Sequence, residues 1–218
     1  MAKKQILVLG LKTFGMSIVK QLSKYNCEVL AIDKDMDKVE MAAEFATHAI
    51  QVDIRDAEGI SELSLSDFDI AIITVDDIEA SIMASLIFKE HGIKTVVVKA
   101  KNNLHKRILE KMEVDKIISP EEEMGIKLAK SIMNESVIDA INFSDEYSIL
   151  EINALEKWLG KTLVSLNLRN EYGMNVLCIK NPNKELEIMP SLEYIIENGD
   201  KLVAIVENKK IENTDLKY

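Results

Sequence analysis

The sequence predicts an α/β protein: a Rossmann-like, doubly wound parallel sheet, followed by a second, smaller mixed α/β domain. Three observations predict this fold class. Strand-like apolar runs alternate with helical patterns up to about residue 133, a glycine-rich turn follows the first run, and short strands dominate from residue 148 onward. Strands that alternate with helices form a parallel sheet covered on both faces. The ligand crevice of such a sheet lies at the carboxyl ends of its strands, near the switch in strand order.

The first predicted domain, residues 1–134, repeats one strand and one helix several times. Its helices carry apolar residues at helical spacing, as Ile18 and Leu22 do in the first one. Pro120 is followed by three glutamates, and acidic side chains are favoured in the first turn of a helix, so a linking helix is predicted over Glu121–Asn134. The six predicted strands are Gln5–Leu9, Glu28–Ile32, His48–Val52, Ile70–Val75, Thr95–Val98 and Lys116–Ile118.

The second predicted domain, residues 135–218, is built from short strands and a short helix near Lys161–Leu166. Asn198-Gly199-Asp200 is a turn signal before the last strand. The polar end, Glu207–Tyr218, is expected to be a frayed tail or a helix. The predicted strands are Ser148–Ile152, Asn175–Ile179, Leu186–Met189 and Leu202–Val206.

Composition excludes several classes of function. A hydrophobic content of 47% in 218 residues supports a real core, and a net charge of −10 disfavours binding to nucleic acid. No apolar run approaches the roughly 20 residues that span a bilayer, and the first residues do not resemble a signal peptide. Cys27 and Cys178 are far apart, and the three histidines have no zinc-ligand spacing. A reduced, cytoplasmic protein without a zinc site is predicted.

A glycine-rich motif, Gly-Leu-Lys-Thr-Phe-Gly from Gly10 to Gly15, follows the first apolar run and opens a helical pattern. It is the dinucleotide-binding fingerprint G-x-G-x-x-G with Lys12 at the second glycine. The lysine takes up room beside a diphosphate, yet its ammonium could also pair with phosphate oxygens near the positive end of the helix. As an alternative, Gly10 and Gly15 simply shape a turn in a fold without a working site.

Further candidate residues stand at the ends of predicted strands, where a ligand would bind. Asp33 ends the second strand and is placed to accept hydrogen bonds from ribose hydroxyls. An Asp that opens a loop and caps a helix is the alternative for Asp33. Asp53 either approaches an adenosine moiety or caps the helix that follows. The segment Thr74-Val75-Asp76-Asp77 lies at the end of the fourth strand, and Thr74 joins this set. Lys99 either faces a ligand phosphate or, as its position favours, is a solvent-facing lysine.

The chain resembles the RCK (regulator of potassium conductance) family over nearly its whole length, in particular KtrA/TrkA-type cytoplasmic regulatory subunits of bacterial potassium channels and transporters. The resemblance extends over both predicted domains and keeps one order. The matching segments include Gly10-Leu11, Phe14-Gly15, Val29-Leu30-Ala31-Ile32-Asp33, Ala46-Thr47-His48-Ala49, Val98-Lys99-Ala100, Ser119-Pro120-Glu121, Leu168-Arg169, Tyr172-Gly173 and Gly199-Asp200.

This resemblance implies a gating ring and not an enzyme. It implies that the first domain binds ATP, ADP or NAD(H), that homodimers assemble into an octameric ring, and that the ring docks on the inner face of the membrane through a potassium channel subunit. Glu121 is implied to lie near the nucleotide phosphates and an associated divalent or monovalent cation. The implied nucleotide-binding residues are Gly10, Lys12, Thr13, Phe14, Gly15, Asp33, Asp53, Thr74, Lys99 and Glu121.

In RCK proteins that sense cyclic di-AMP, the dinucleotide binds between paired C-terminal domains. The resemblance implies that Leu168, Arg169, Asn175 and Pro190 lie in that region, with Arg169 as a candidate for a phosphate contact. An arginine on a loop that pairs with the acidic surface is the alternative for Arg169.

Two positions depart from the family pattern. The family usually has Gly and Arg where this chain has Lys12 and Thr13, so an arginine expected near the terminal phosphate of ATP is absent. Either Lys12 supplies that charge from one position earlier, or this member responds poorly to ATP and relies on its C-terminal domain.

Two other classes of function are weighed against the regulatory subunit. An NAD(H)-dependent oxidoreductase requires an acid-base group such as histidine or lysine positioned on its substrate. All three histidines precede residue 106, so the second predicted domain contains none. The absence of a membrane span fits a nucleotide-responsive regulator of a partner that is not a channel as well as it fits a detachable channel subunit. No G-x-S-x-G segment or similar fingerprint of nucleophilic catalysis occurs.

Overall fold

The structure is a computed structural model, and it describes residues 3–56, 60, 63–133, 136–183, 185–211, 214 and 216. The chain divides into two compact units, Met1–Pro120 and Glu121–Tyr218. Within the described residues, none of the helices has both the length and the apolar character needed to cross a lipid bilayer.

The first unit is a parallel sheet of six strands in the order β3-β2-β1-β4-β5-β6. This is the doubly wound order of dinucleotide-binding proteins, and it reverses between β1 and β4. The strands are β1 (Lys4–Leu9), β2 (Cys27–Asp33), β3 (His48–Gln51), β4 (Ile70–Ile73), β5 (Thr95–Lys99) and β6 (Lys116–Ile118). Among the described residues of this unit, the α-helices are α1 (Thr13–Leu22), α2 (Met36–Ala43), α3 (Ile78–Glu90) and α4 (Asn103–Lys111).

Both faces of this sheet are covered, which explains why its strands read as continuous apolar runs. On β1, Leu7 belongs to the apolar cluster that contains Phe88 of α3, whereas the next residue, Val8, belongs to the cluster that contains Val19 of α1. All four side chains are fully buried. Burying one such side chain stabilises the fold by about 1.5–3 kcal/mol, so the two clusters fix the sheet between its helices.

The second unit contains an antiparallel sheet of five strands in the order β10-β9-β11-β8-β7. Leu150, Ile152 and Leu202 pack from this sheet onto Trp158 in one apolar cluster. The strands are β7 (Val137–Asn142), β8 (Tyr147–Asn153), β9 (Met174–Lys180), β10 (Glu187–Ile188) and β11 (Lys201–Glu207). The helices are α5 (Pro120–Met133), α6 (Leu163–Leu166), α7 (Leu168–Glu171) and α8 (Asn208–Ile211).

The predicted elements are present, with differences at particular places. Strand β7 and helix α7 were not among the predicted elements, and the predicted strand Leu186–Met189 is shortened to β10. The short helix predicted near Lys161–Leu166 is α6. In the predicted tail, α8 is a helix of one turn, and residues 212, 213, 215, 217 and 218 lie outside the described residues.

The division into compact units differs from the predicted domain boundary after residue 134. Helix α5 agrees with the predicted linking helix except at its ends, and residue 134 lies outside the described residues. From Glu121 onward the helix groups with the second unit. Its side chains from residue 121 to residue 129 are all exposed.

Candidate functional site

The glycine-rich turn connects β1 to α1, and both of its glycines are required by close approaches of the backbone. Gly10 has φ +97°, in the left-handed region that favours glycine, and a Cβ there would lie 2.9 Å from the nitrogen of Val75. A Cβ on Gly15 would lie 1.8 Å from the carbonyl oxygen of Gly10. The first glycine therefore makes the tight turn, and the last one lets α1 pack closely against the strand ends.

Thr74 holds this turn in place from the end of β4. Its hydroxyl is buried, and its Oγ1 lies 2.7 Å from the carbonyl oxygen of Gly10 and donates a hydrogen bond to it. Thr74 lines the cavity described below, but its hydroxyl already has a partner in the protein. The structure thus places Thr74 at the predicted site as a residue that supports the turn.

Asp33, the last residue of β2, joins the second strand to the glycine-rich turn. Its Oδ2 accepts a hydrogen bond of 2.6 Å from the backbone N–H of Leu11, and its Oδ1 accepts one of 3.0 Å from Asp35. Lys38 Nζ lies 3.9 Å from Oδ1. An ionised carboxylate has about four lone-pair sites, so these two hydrogen bonds leave acceptor capacity for a ligand hydroxyl.

Asp53 and Arg55 form a second charged group after β3. The Oδ1 of Asp53 accepts a hydrogen bond of 3.1 Å from the backbone N–H of Arg55. Residues 57–59, 61 and 62, where the helix expected after Asp53 would lie, are outside the described residues. The Arg55 guanidinium lies 2.8 Å from Oδ1 of Asp77 and 3.9 Å from Oδ2 of Asp53. Asp77 also accepts a hydrogen bond from the Ala80 N–H at the start of α3, and this bond, followed by Arg55, lowers the pKa of Asp77.

Asp76 is held between two lysines. Lys12 Nζ lies 2.8 Å from Oδ2 of Asp76, and Lys99 Nζ lies 2.8 Å from Oδ1. The hydrogen bonds from Lys12 and then Lys99 lower the pKa of Asp76 to about 2. Asp76 is therefore ionised at neutral pH. Because Lys99 is only 8% exposed, its interpretation as a solvent-facing lysine is wrong.

These residues surround a cavity of about 150 Å³ at the switch point of the sheet. Val52, Ile54 and Ala80 give it an apolar wall, and charged side chains stand around the rest. Five of the predicted residues line it: Gly10, Lys12, Asp33, Asp53 and Thr74. The sequence-based list of site residues omitted other lining residues of the same cavity: Lys34, Lys38, Arg55, Asp76 and Asp77. An apolar wall beside a carboxylate and a helix N-terminus can bind a purine, a ribose and a phosphate group in that order.

The remaining predicted residues of the first site do not line this cavity. Thr13 and Phe14 begin α1, and Gly15 packs beneath the turn. Lys99 does not line the cavity itself but pairs with Asp76, which does. Glu121 is exposed in the first turn of α5, in the second compact unit. Across the residues that the structure describes, no group of three or more His, Cys, Asp or Glu side chains could hold a metal ion.

A second cavity, of about 350 Å³, lies within the second unit. It brings together all four residues predicted for a C-terminal ligand, Leu168, Arg169, Asn175 and Pro190, although they come from three separate segments of the chain. Leu168 is buried, whereas Arg169 and Asn175 are exposed. The cavity thus combines an apolar floor with a cationic and an amide side chain at its rim.

Comparison with known proteins agrees with this arrangement of two units. The TrkA-N domain family matches residues 6–120, and the TrkA-C domain family matches residues 148–215. The first match contains the glycine-rich turn and its cavity, and the second contains the other cavity.

Similar proteins match along most of their own length. The Ktr system potassium uptake protein C of Bacillus subtilis (strain 168) is 39% identical over 204 residues, which cover 93% of this chain and 92% of the relative. Protein A of the same system and organism is 39% identical over 210 residues, covering 96% of this chain and 94% of the relative. The Ktr system potassium uptake protein A of Vibrio alginolyticus is 35% identical over 211 residues and covers 96% of each chain.

Solved structures show the same fold at low sequence identity. The crystal structure of the GsuK RCK domain has a TM-score of 0.66 at 13% identity, covering 96% of this chain and 46% of that chain. The structure of the GsuK channel bound to NAD has a TM-score of 0.64 at 13% identity, covering 100% of this chain and 39% of that chain. The chain therefore belongs to the family of proteins in which a TrkA-N domain is followed by a TrkA-C domain, as its sequence resemblance to the RCK proteins predicted.

Proposed function

We propose that the protein is a regulatory subunit of a potassium uptake system and that its first unit senses an adenosine nucleotide. Binding of a nucleotide is supported by one observation. The glycine-rich turn, Asp33 and an apolar wall line the same cavity at the switch point of the sheet. The potassium part is supported by the names of relatives that match over more than nine-tenths of their length. None of the three relatives described above has the name of an enzyme.

The cavity favours one orientation of ATP, ADP or NAD(H). The purine lies against Val52 and Ile54, and the ribose hydroxyls donate to the remaining acceptor sites of Asp33. The phosphates then lie at the N-terminus of α1, where the backbone N–H groups and the helix dipole favour negative charge. Glu121 is the proposed acid for a cation bound with the phosphates, as the family resemblance implies.

A regulatory subunit acts through differential affinity. A nucleotide changes the state of the potassium channel only if it binds one conformation of the ring more tightly than the other. We infer that homodimers assemble into an octameric ring, and that the ring works in the cytoplasm at the inner face of the membrane, beneath its channel partner.

A second ligand is proposed for the second unit. The cavity lined by Leu168, Arg169, Asn175 and Pro190 is suited to cyclic di-AMP, because an apolar floor accepts a base and the Arg169 guanidinium binds a phosphate with two hydrogen bonds. Paired C-terminal domains would each contribute one such cavity.

The proposal is tested by potassium uptake at low external potassium in Bacillus subtilis cells that lack the two relatives, Ktr proteins A and C. Expression of this chain is expected to restore uptake, and Asp33→Asn is expected to reduce the restored rate. Asp67→Asn is the matched control, because Asp67 is exposed and does not line the cavity.

Two results would count against the proposal. If the folded protein accumulates to the level of the missing relatives and restores no uptake, the regulatory role is wrong for this system. If the Asp33→Asn and Asp67→Asn variants restore uptake equally, the nucleotide site has no part in the regulation.

A further inference from the structure

The carboxylate of Asp76 occupies a place where two cations of the nucleotide site converge. Lys12 approaches one of its oxygens from the glycine-rich turn, and Lys99 approaches the other from the end of β5, each at 2.8 Å. Lys12 and Asp76 both line the cavity. An anionic side chain of the protein thus already pairs with the lysine that precedes α1, the helix at whose start the phosphates are expected.

The two lysines differ in how easily they can leave Asp76. The Lys99 side chain is 9% exposed, and the Lys12 side chain is 63% exposed. Separating a buried lysine from its carboxylate leaves a desolvated charge, which is costly. An exposed ion pair contributes little stability, because water and salt screen it and the long side chain loses freedom. Lys12 is therefore the lysine that can leave Asp76 for another anion, whereas Lys99 remains paired with Asp76.

Lys12 also stands at the first turn of α1, where an anion would bind. It is the N-cap residue of the helix, and its side chain makes no capping hydrogen bond. The first N–H groups of a helix point away from it without intrahelical partners, and the helix dipole is positive there. A phosphate at this end of α1 would lie within reach of the Lys12 ammonium, and charge-assisted hydrogen bonds to phosphate are strong.

We propose that Asp76 competes with the phosphate groups of the ligand for Lys12. In the free protein Lys12 Nζ pairs with Asp76, and in the complex it moves to a phosphate oxygen while Lys99 keeps Asp76 in place. Lys12 and Asp76 then set how strongly the site prefers phosphorylated over unphosphorylated adenosine ligands. This inference rests on the proposed nucleotide function and concerns the position at which the family usually has glycine.

The exchange of Lys12 from Asp76 to a phosphate depends on binding of an anion. It does not depend on protonation of Asp76 in the neutral pH range. With a pKa of about 2, Asp76 stays ionised far below neutrality. When Lys12 leaves Asp76, the carboxylate of Asp76 loses one of its two cationic partners. Its negative charge then repels the incoming phosphates.

The test is a set of binding isotherms with adenosine and ADP on the full chain. Lys12→Ala is expected to weaken ADP binding roughly tenfold, the ratio that corresponds to loss of one charge-assisted contact, and to leave adenosine binding within about twofold. Asp76→Asn is expected to strengthen ADP binding about fivefold without changing adenosine binding, since one like charge is removed. In the Lys12→Ala background, Asp76→Asn is expected to give a smaller gain.

Matched controls remove the same charges elsewhere. Lys24→Ala and Asp67→Asn change the net charge equally, and neither residue lines the cavity. Both controls are expected to leave the two affinities unchanged. Asp76→Asn removes a charged partner of Lys99, so its thermal unfolding midpoint is measured first. If Asp76→Asn does not fold, the inference is tested with Lys12→Ala and Lys12→Gln alone. These two variants are expected to fold because Lys12 is exposed.

The outcomes separate this inference from the function on which it rests. If none of adenosine, ADP, ATP and NADH binds the wild-type chain, the proposed nucleotide function fails, and the inference fails with it. If ATP or NADH binds and ADP does not, the nucleotide function stands and the inference, which is stated for ADP, is overturned. If both bind and ADP affinity is the same in Lys12→Ala as in the wild type, the inference is overturned while the nucleotide function stands. A loss of ADP and adenosine affinity by equal factors would also overturn it, since Lys12 would then support the whole cavity.

Discussion

A Cβ on Gly15 would lie 1.8 Å from the carbonyl oxygen of Gly10 and 2.6 Å from the hydroxyl oxygen of Thr74. Real Cβ atoms do not approach backbone atoms so closely, and a backbone carbonyl cannot rotate away as a flexible side chain can. The first turn of α1 therefore depends on glycine at this position, whatever ligand binds above it.

Replacing Gly15 by alanine is expected to destabilise the first unit by about 2 kcal/mol or more, because backbone must move to relieve the overlap. Denaturant unfolding followed by circular dichroism measures the change. Gly125→Ala in α5 is the matched control: a Cβ there meets nothing within 4 Å, and alanine is a better helix former, so no loss is expected. Equal stability of Gly15→Ala and the wild type would contradict this account of the turn.

Replacing Asp33 by asparagine is expected to weaken adenosine and ADP binding by similar factors, roughly tenfold or more. A hydrogen bond to a charged acceptor contributes about 1.5–3 kcal/mol, and the amide can offer only one oxygen to Leu11, Asp35 and the ribose. Isothermal titration with each ligand measures the change. Because adenosine carries the ribose but no phosphate, an effect confined to ADP would show that Asp33 does not contact the ribose.

Burial of His105 predicts a loss of stability in mild acid. The His105 side chain is fully buried, its Nδ1 lies 3.2 Å from the donating N–H of Lys101, and its Nε2 has no hydrogen-bond partner within the described part of the chain. Desolvation, followed by the charge of Lys101, lowers the pKa of His105 below its usual 6.5. The unfolded chain then binds a proton that the folded chain does not, so stability present above about pH 6.5 is lost as the pH falls below it.

Thermal unfolding between pH 5.5 and pH 7.5 checks this expectation. The midpoint of the wild type is expected to fall toward pH 5.5, and His105→Asn is expected to flatten that dependence, since its amide oxygen can accept from Lys101 without titrating. His91→Asn is the control, because His91 is exposed at the end of α3. A pH dependence in His105→Asn as steep as in the wild type would assign the effect to other groups.

Replacing Arg169 by alanine is expected to weaken cyclic di-AMP binding about tenfold and to leave ADP binding unchanged. The guanidinium is the cation among the residues described at the second cavity, and that cavity lies wholly within the second unit. Titration of both ligands measures the two affinities, with Lys209→Ala as a control for the lost charge. Unchanged cyclic di-AMP affinity in Arg169→Ala would favour the surface-pairing alternative for this arginine.

Local features of the fold could be predicted from the sequence because they depend on nearby residues. The positions of Gly10, Gly15 and Asp33 follow from a fingerprint within one strand-helix-strand unit, and the structure places them as that fingerprint requires. Strand β7 was missed, because its apolar residues are interrupted by Asp139 and it ends in Asn142, so no clear strand pattern is visible.

The electrostatics of the site could not be predicted in the same way. The pair of Lys12 and Asp76 joins residues 64 positions apart, and the pair of Lys99 and Asp76 joins residues 23 positions apart. Such pairs depend on which strands become neighbours and how their loops end. Lys99 was expected to face solvent because it is a charged residue at the end of a strand. The sequence does not show that the carboxylate of Asp76 lies beside it and permits its burial.

Thermal unfolding of the purified chain with ADP, ATP, NADH and cyclic di-AMP is the most direct test of whether the first unit senses an adenosine nucleotide. A ligand of the native state at 100 times its dissociation constant adds about 2.7 kcal/mol of stability and raises the midpoint. We expect the midpoint to rise with at least one of the three adenosine nucleotides, and we expect this rise to be smaller in Asp33→Asn. A rise with cyclic di-AMP alone would contradict this expectation and place the sensor in the second unit.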